Sequence, residues 1–153
     1  MRLLRQEENG KLSLTRYDGD NLPPYAILSH VWGADGDEVS FKDLEAGAEK
    51  SKPGYAKLQF CARQAAKDDL KDFWVDTCCI NKDSEAELSE AINSMFRWYR
   101  RATKCYVYLQ DVSALKRDSD GHIYDWEAPF RKSRWFTRGC MHARIFLASC
   151  SDM

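Results

Sequence analysis

What this chain lacks narrows its chemistry. It has three histidines, His30, His122 and His142, scattered along 153 residues. Its six cysteines (Cys61, Cys78, Cys79, Cys105, Cys140 and Cys150) include no Cys-x-x-Cys pair. A structural zinc site needs paired ligands at short spacing, so none is expected. Four of the cysteines lie in apolar runs, where a free thiol behaves as a small hydrophobe. No apolar run approaches the roughly 20 residues that a helix needs to cross a bilayer, so no membrane anchor is expected. The opening Met1-Arg2-Leu3-Leu4-Arg5-Gln6 is too short and too charged for a secretory signal. These absences point to a reducing, cytoplasmic setting. An excess of charge is missing too. The formal net charge of −1 exerts no pull toward nucleic acid or anionic lipid. The basic aromatic stretch at residues 130–136 reads as a solvated face with buried aromatic anchors.

What is present is an ordinary globular balance, 44% apolar and 31% charged, in a length that suits one domain. Arg2-Leu3-Leu4-Arg5 and Lys11-Leu12-Ser13-Leu14-Thr15 flank Asn9-Gly10, a hairpin signal. Residues 25–32 (Tyr-Ala-Ile-Leu-Ser-His-Val-Trp) read as a strand that ends at Gly33, before the polar loop 34–38. Residues 39–44 form a brief apolar stretch. A helix is expected over 57–69, where Leu58, Cys61, Ala62, Ala65 and Ala66 recur at three- and four-residue steps. Residues 73–80 (Phe-Trp-Val-Asp-Thr-Cys-Cys-Ile) are apolar enough for a strand covered on both faces. Ser84 and Glu87 have the spacing of a capping box, and Leu88, Ala91, Ile92, Met95, Tyr99 and Ala102 then trace one helical stripe. Residues 104–109 suit a third strand and 111–125 a polar connector. Residues 126–135 have room for a short helix.

Strand and helix in alternation predict a single α/β domain with a mostly parallel sheet flanked by helices. Ligands in such sheets gather beyond the carboxyl ends of the strands. Those ends are residues 29–38, 79–87 and 110–111. Glu87 is the leading catalytic candidate, a carboxylate able to hold a ribose hydroxyl or stabilise a developing cation. The same residue also suffices as a helix cap. Asp76 is a charge inside an apolar run, which must be paired or hydrogen-bonded; it reads as a catalytic carboxylate or as an anchor to Arg134 or Ser29. Ser29, Trp32 and Gly33 stand where the first long strand meets its loop. Gly33 permits close backbone approach, and Trp32 can stack on a base or close the core. His30 has no identifiable partner for general-base work. Cys79, with apolar flanks, reads as buried and inert. Glu90 reads as a solvated residue with Arg97 at its limit of reach.

Four blocks resemble one family. Tyr25-Ala26-Ile27-Leu28-Ser29-His30-Val31-Trp32-Gly33 is similar to the opening of the fungal heterokaryon-incompatibility (HET) domain, and Trp74-Val75-Asp76-Thr77-Cys78-Cys79-Ile80-Asn81 to its second block. The helix ending at Met95, Trp98, Tyr99 and Ala102 is similar to the third. Ser133-Arg134-Trp135-Phe136-Thr137-Arg138-Gly139 resembles the start of a fourth. Met1-Arg2-Leu3-Leu4 is similar to the subgroup at the amino end of large vegetative-incompatibility proteins. The order and spacing of the blocks are more specific than any one of them. They delimit a domain at residues 1–139 and a divergent tail at 140–153.

The resemblance implies a role in nonself recognition that ends in programmed cell death, a form of innate immunity. It implies self-association or association with nucleotide-binding switch proteins, and a fold like Toll/interleukin-1-receptor (TIR) or flavodoxin domains. Some TIR domains cleave NAD with a glutamate on the helix after a central strand. NAD is therefore a possible substrate, with no required cofactor, and Asn81 joins Ser29, Trp32 and Gly33 as a candidate nucleotide contact. The chain departs from the family at Leu88, where many members carry arginine, and from Cys140 onward. The second departure reads as a splice-boundary or reading-frame change, which leaves an inactive decoy as a further reading.

Overall fold

In a computed structural model the protein is described over residues 1–19, 21–112 and 127–137. The expected tail at 140–153 and most of the expected connector lie outside those residues. Five strands form one mixed sheet: β1 Arg2–Gln6, β2 Leu12–Arg16, β3 Tyr25–His30, β4 Asp72–Trp74 and β5 Lys104–Tyr108. Their spatial order is β2-β1-β4-β3-β5. The expected α/β arrangement is present. Its parallel part is β4, β3 and β5, and the antiparallel hairpin β1–β2 extends it on the β4 side. The hairpin forms where Asn9-Gly10 predicts it. Gly10 takes φ +77° and donates its N–H to the Glu7 carbonyl, a left-handed position that glycine occupies without steric cost.

β3 is central, and all six of its residues are buried. Helix α2 (Tyr55–Lys67) connects β3 to β4, and α3 (Glu85–Arg101) connects β4 to β5. The two connections run in opposite directions across the sheet, so right-handed crossovers set the helices on opposite faces. The rings agree. Phe60 of α2 meets Tyr108 of β5 edge-on at 5.1 Å, whereas Trp74 of β4 meets Trp98 and Tyr99 of α3 at 5.6 and 6.1 Å. Two tyrosines tie α3 to the sheet: Tyr25 Oη donates to the Trp98 carbonyl and Tyr99 Oη to that of Leu28. Burial pushes the Tyr25 phenol up to about 12, so it stays a neutral donor.

Three expectations need correction. β4 ends at Trp74 rather than Ile80, because Cys78 and Cys79 both donate their N–H groups to the Val75 carbonyl and the chain turns there. Val75, Cys78, Cys79 and Ile80 are nonetheless buried, so the apolar run recorded burial and not extension. The brief apolar stretch at 39–44 overlaps a helix, α1 (Phe41–Ala46), with a complete capping box between Ser40 and Asp43. Finally, α3 keeps the expected stripe at Leu88, Ala91, Met95, Tyr99 and Ala102 but departs from it at one position. Trp98 is buried, while Ile92 is 58% exposed and Phe96 46% exposed. The short helix expected near 126–135 is α4 (Glu127–Arg131), followed by a 3-10 turn at Arg134–Thr137.

Candidate functional site

Apart from Ser29, the predicted site residues fall into two neighbourhoods at the carboxyl side of the parallel strands. The first surrounds the end of β3. His30, its last residue, is 1% exposed, with Nε2 3.6 Å from Asp76 Oδ1 and 3.9 Å from Glu38 Oε2. Asp76 is on the turn after β4, not within the strand. Its two oxygens accept the Trp32 indole N–H at 3.3 and 3.1 Å, so its partner is Trp32, neither Arg134 nor Ser29. Trp32 itself is 41% exposed, and the Lys82 ammonium is 3.9 Å from its ring centroid. An aromatic face with a cation above it is an attractive electrostatic pair. Trp32 is therefore a pinned surface ring and not a core lid.

Below it, Lys57 on the first turn of α2 is buried. Its ammonium donates to the Val31 carbonyl at 2.8 Å and to Glu38. Burial raises the Glu38 pKa, but Lys57 and the Gly33 N–H, 2.6 Å from Oε1, outweigh it and hold the carboxyl below its ordinary value of 4.5. A Cβ at Gly33 would be 3.2 Å from Asp37 Cβ and 3.3 Å from Asp37 Oδ2, so any larger residue would require the Asp37 side chain to shift by a few tenths of an ångström. Gly33 thus closes a loop on its own carboxylates. Ser29 is buried on the opposite face of β3, where its Oγ accepts the Trp135 indole N–H at 3.0 Å. Asp111 holds the segment that carries Trp135, accepting Ser133 Oγ at 2.7 Å and the Arg134 N–H at 2.8 Å.

The second neighbourhood is a cleft of about 460 Å³ between the β1–β2 hairpin and α3. Glu87 stands in its wall. The Ser84 hydroxyl accepts the Glu87 N–H at 3.3 Å, so half of the predicted capping box is formed. The returning half is not. Ser84 has already given its own N–H to the Asn81 carbonyl, and the Glu87 carboxylate instead accepts the Asn81 N–H at 2.8 Å and the Arg2 guanidinium. Desolvation raises the Glu87 pKa, but these two donors more than offset it, and the carboxyl sits below 4.5. Arg2 also stacks on Phe41, 4.6 Å from the ring centroid. Asn81 Oδ1 accepts the Asp83 N–H, an Asx turn that shapes the loop.

The profile of the heterokaryon incompatibility protein (HET) family matches residues 25–128. The chain belongs to that family. It is also 58% identical over 140 residues to vegetative incompatibility protein HET-E-1 of Podospora anserina, an alignment that covers 91% of this chain and 10% of that protein. The chain thus spans about a tenth of the length of the curated relative it matches. No solved structure matches it.

Within this HET domain the structure joins Trp32, Gly33 and Asp76 to one neighbourhood and Glu87 and Asn81 to the other. Ser29 serves a third contact, under Trp135. Sequence reasoning missed Glu38, Lys57 and Arg2. Lys57 left a signal, since it precedes Cys61 and Ala65 at four-residue steps on the buried face of α2. Arg2 left none, because its partner is 85 positions away. Cys79 is buried, and its sulfur accepts the Val75 N–H at 3.4 Å. The described cysteines Cys61, Cys78, Cys79 and Cys105 are free thiols. Burial raises Cys61, Cys78 and Cys105, the last to about 11, which disfavours the thiolate. Among the described residues no group of three or more histidine, cysteine or acidic side chains is placed to hold a metal ion, and no helix is long and apolar enough to cross a membrane.

Proposed function

We propose that this chain is a cytoplasmic effector domain of heterokaryon incompatibility, acting in nonself recognition that leads to programmed cell death. The reading rests on its 58% identity, over 91% of its length, to an incompatibility protein. It acts by associating with copies of itself or with proteins that carry a nucleotide-binding switch. The test is inducible expression in a filamentous fungus, alone and fused to a chemically induced dimeriser. Cell death that requires dimerisation supports the proposal. Full viability with the folded protein abundant and clustered refutes it.

A second reading is favoured by the position of Glu87 in the wall of a nucleotide-sized cleft. There the domain hydrolyses NAD. Water adds to the ribosyl carbon, the carbon–nitrogen bond breaks, nicotinamide leaves with the electron pair, and a proton is released. Glu87 stabilises the positive charge on the ribosyl group as that bond lengthens. Arg2 must release the carboxylate first. Chromatography of NAD with clustered protein decides the matter. Loss of NAD that Glu87→Gln abolishes supports hydrolysis, whereas death with NAD intact excludes it.

A further inference from the structure

The cleft beside α3 is also where arginine concentrates. Arg2 and Arg16 face each other across the hairpin as directly opposed cross-strand partners. Arg97 and Arg101 are one helical turn apart on α3, and all four line the same cleft. Each pair brings like charges together, an arrangement that is unfavourable by itself in a sheet and on a helix. Two unrelated elements converge their cations on one volume.

Three acids, Asp18, Glu87 and Glu90, line the cleft with these arginines. Glu87 engages Arg2, and Asp18 accepts Arg16 through Nε at 3.1 Å. Arg97 donates through Nη2 to the Ser94 hydroxyl, a neutral acceptor. A guanidinium carries five N–H donors in a fork that matches phosphate oxygens. Arg16 and Arg97 thus retain most of their donors at the cleft. Its remaining wall includes Tyr17 and Leu22, one an aromatic ring and the other apolar. A volume near 460 Å³ is in the range of small-molecule and cofactor sites.

We propose that this cleft binds a phosphate-bearing small molecule of the nucleoside diphosphate class. Arg16 and Arg97 clamp the diphosphate from opposite walls, and the Tyr17 side accepts the nucleoside. Arg2 changes partner on binding. A phosphate near its guanidinium competes with Glu87, so occupancy loosens the Arg2–Glu87 pair and uncovers the carboxylate. The site rests on the same cleft as the hydrolysis reading but does not require turnover.

The test is isothermal titration of the full chain with ADP, inorganic pyrophosphate and adenosine at low and moderate salt. ADP should bind at a single saturable site, weakening as salt rises, with pyrophosphate weaker and adenosine silent. Arg16→Gln and Arg97→Gln should each weaken ADP by roughly tenfold, while Lys67→Gln on α2 leaves it unchanged. Glu87→Gln should bind ADP at least as well as the parent. Absence of saturation by ADP in the low millimolar range overturns the proposal, as does ADP binding that neither arginine substitution alters. ADP lacks the nicotinamide bond, so ADP binding with NAD intact defeats hydrolysis and leaves the anion site standing.

Discussion

The Arg2 guanidinium, at the start of β1, holds the Glu87 carboxylate on the first turn of α3. The contact exists because β1 runs antiparallel to β4, which brings the first residue of the hairpin to the carboxyl end of β4. That places a strand cation where the predicted capping box would have used the carboxylate locally.

The pair is accessible to a double-mutant cycle. Arg2→Gln, Glu87→Gln and the double variant should show a coupling of about 0.5–2 kcal/mol in urea unfolding, because both side chains are only partly exposed. Strict additivity would show that the two groups do not interact energetically in solution.

The acid limb of stability follows from the same contacts. Glu87 and Glu38 both have folded-state pKa values below their ordinary 4.5. Their contribution is therefore complete above the unfolded value and is lost as pH falls through the folded values. Melting temperature should hold steady above about pH 5.5 and fall progressively below about pH 4.5. In Arg2→Gln the folded Glu87 value moves up toward the unfolded one, so stability at neutral pH should drop and the acid limb should become shallower. An acid limb unmoved by this substitution would contradict the assignment.

Glu38→Ala strands the buried Lys57 ammonium with the Val31 carbonyl as its remaining hydrogen-bond acceptor. Breaking one side of a buried pair costs about 3–5 kcal/mol. Replacing both partners, as Glu38→Gln with Lys57→Met, should recover much of that loss. Chemical denaturation of the single and double variants measures it, and a double variant no better than Glu38→Ala would refute the pairing.

Ser29 is predicted to be structural. Ser29→Ala removes the Ser29 hydroxyl that accepts the Trp135 indole N–H in a buried setting and should cost about 1–3 kcal/mol. The same substitution should leave ADP affinity unchanged, since Ser29 does not line the cleft. Thermal unfolding and titration of one protein sample read both outcomes.

The legibility of the site divides along the same line as its contacts. Gly33, Trp32 and Asp76 were visible because each is locally anomalous: a glycine after a strand, an aromatic where the strand meets its loop, a carboxylate in an apolar run. Their arrangement was not visible. Nothing near Asp76 in sequence announces that Trp32 is its donor, 44 positions earlier. Glu87 was recognised from its spacing to Ser84, yet the spacing predicted the wrong donor for its carboxylate. Only the turn that consumes the Ser84 N–H redirects it to Asn81.

By itself, the sequence determined the elements whose causes are local. Asn9-Gly10 specifies the hairpin, Ser84 starts α3, and the run at 25–32 reads as the strand whose first six residues form β3. Those signals act over a few residues and survive without knowledge of the rest of the chain. Tertiary structure alone decided where β4 stops, that Trp98 rather than Ile92 completes the buried stripe of α3, and which cation meets which carboxylate. Trp98 displaces Ile92 from the core because Trp74 and the Tyr25 hydroxyl wait on that side of the sheet. Arg2 reaches Glu87 because the hairpin adds antiparallel to β4. Long-range pairing follows from strand order, and strand order is a property of the whole packed chain.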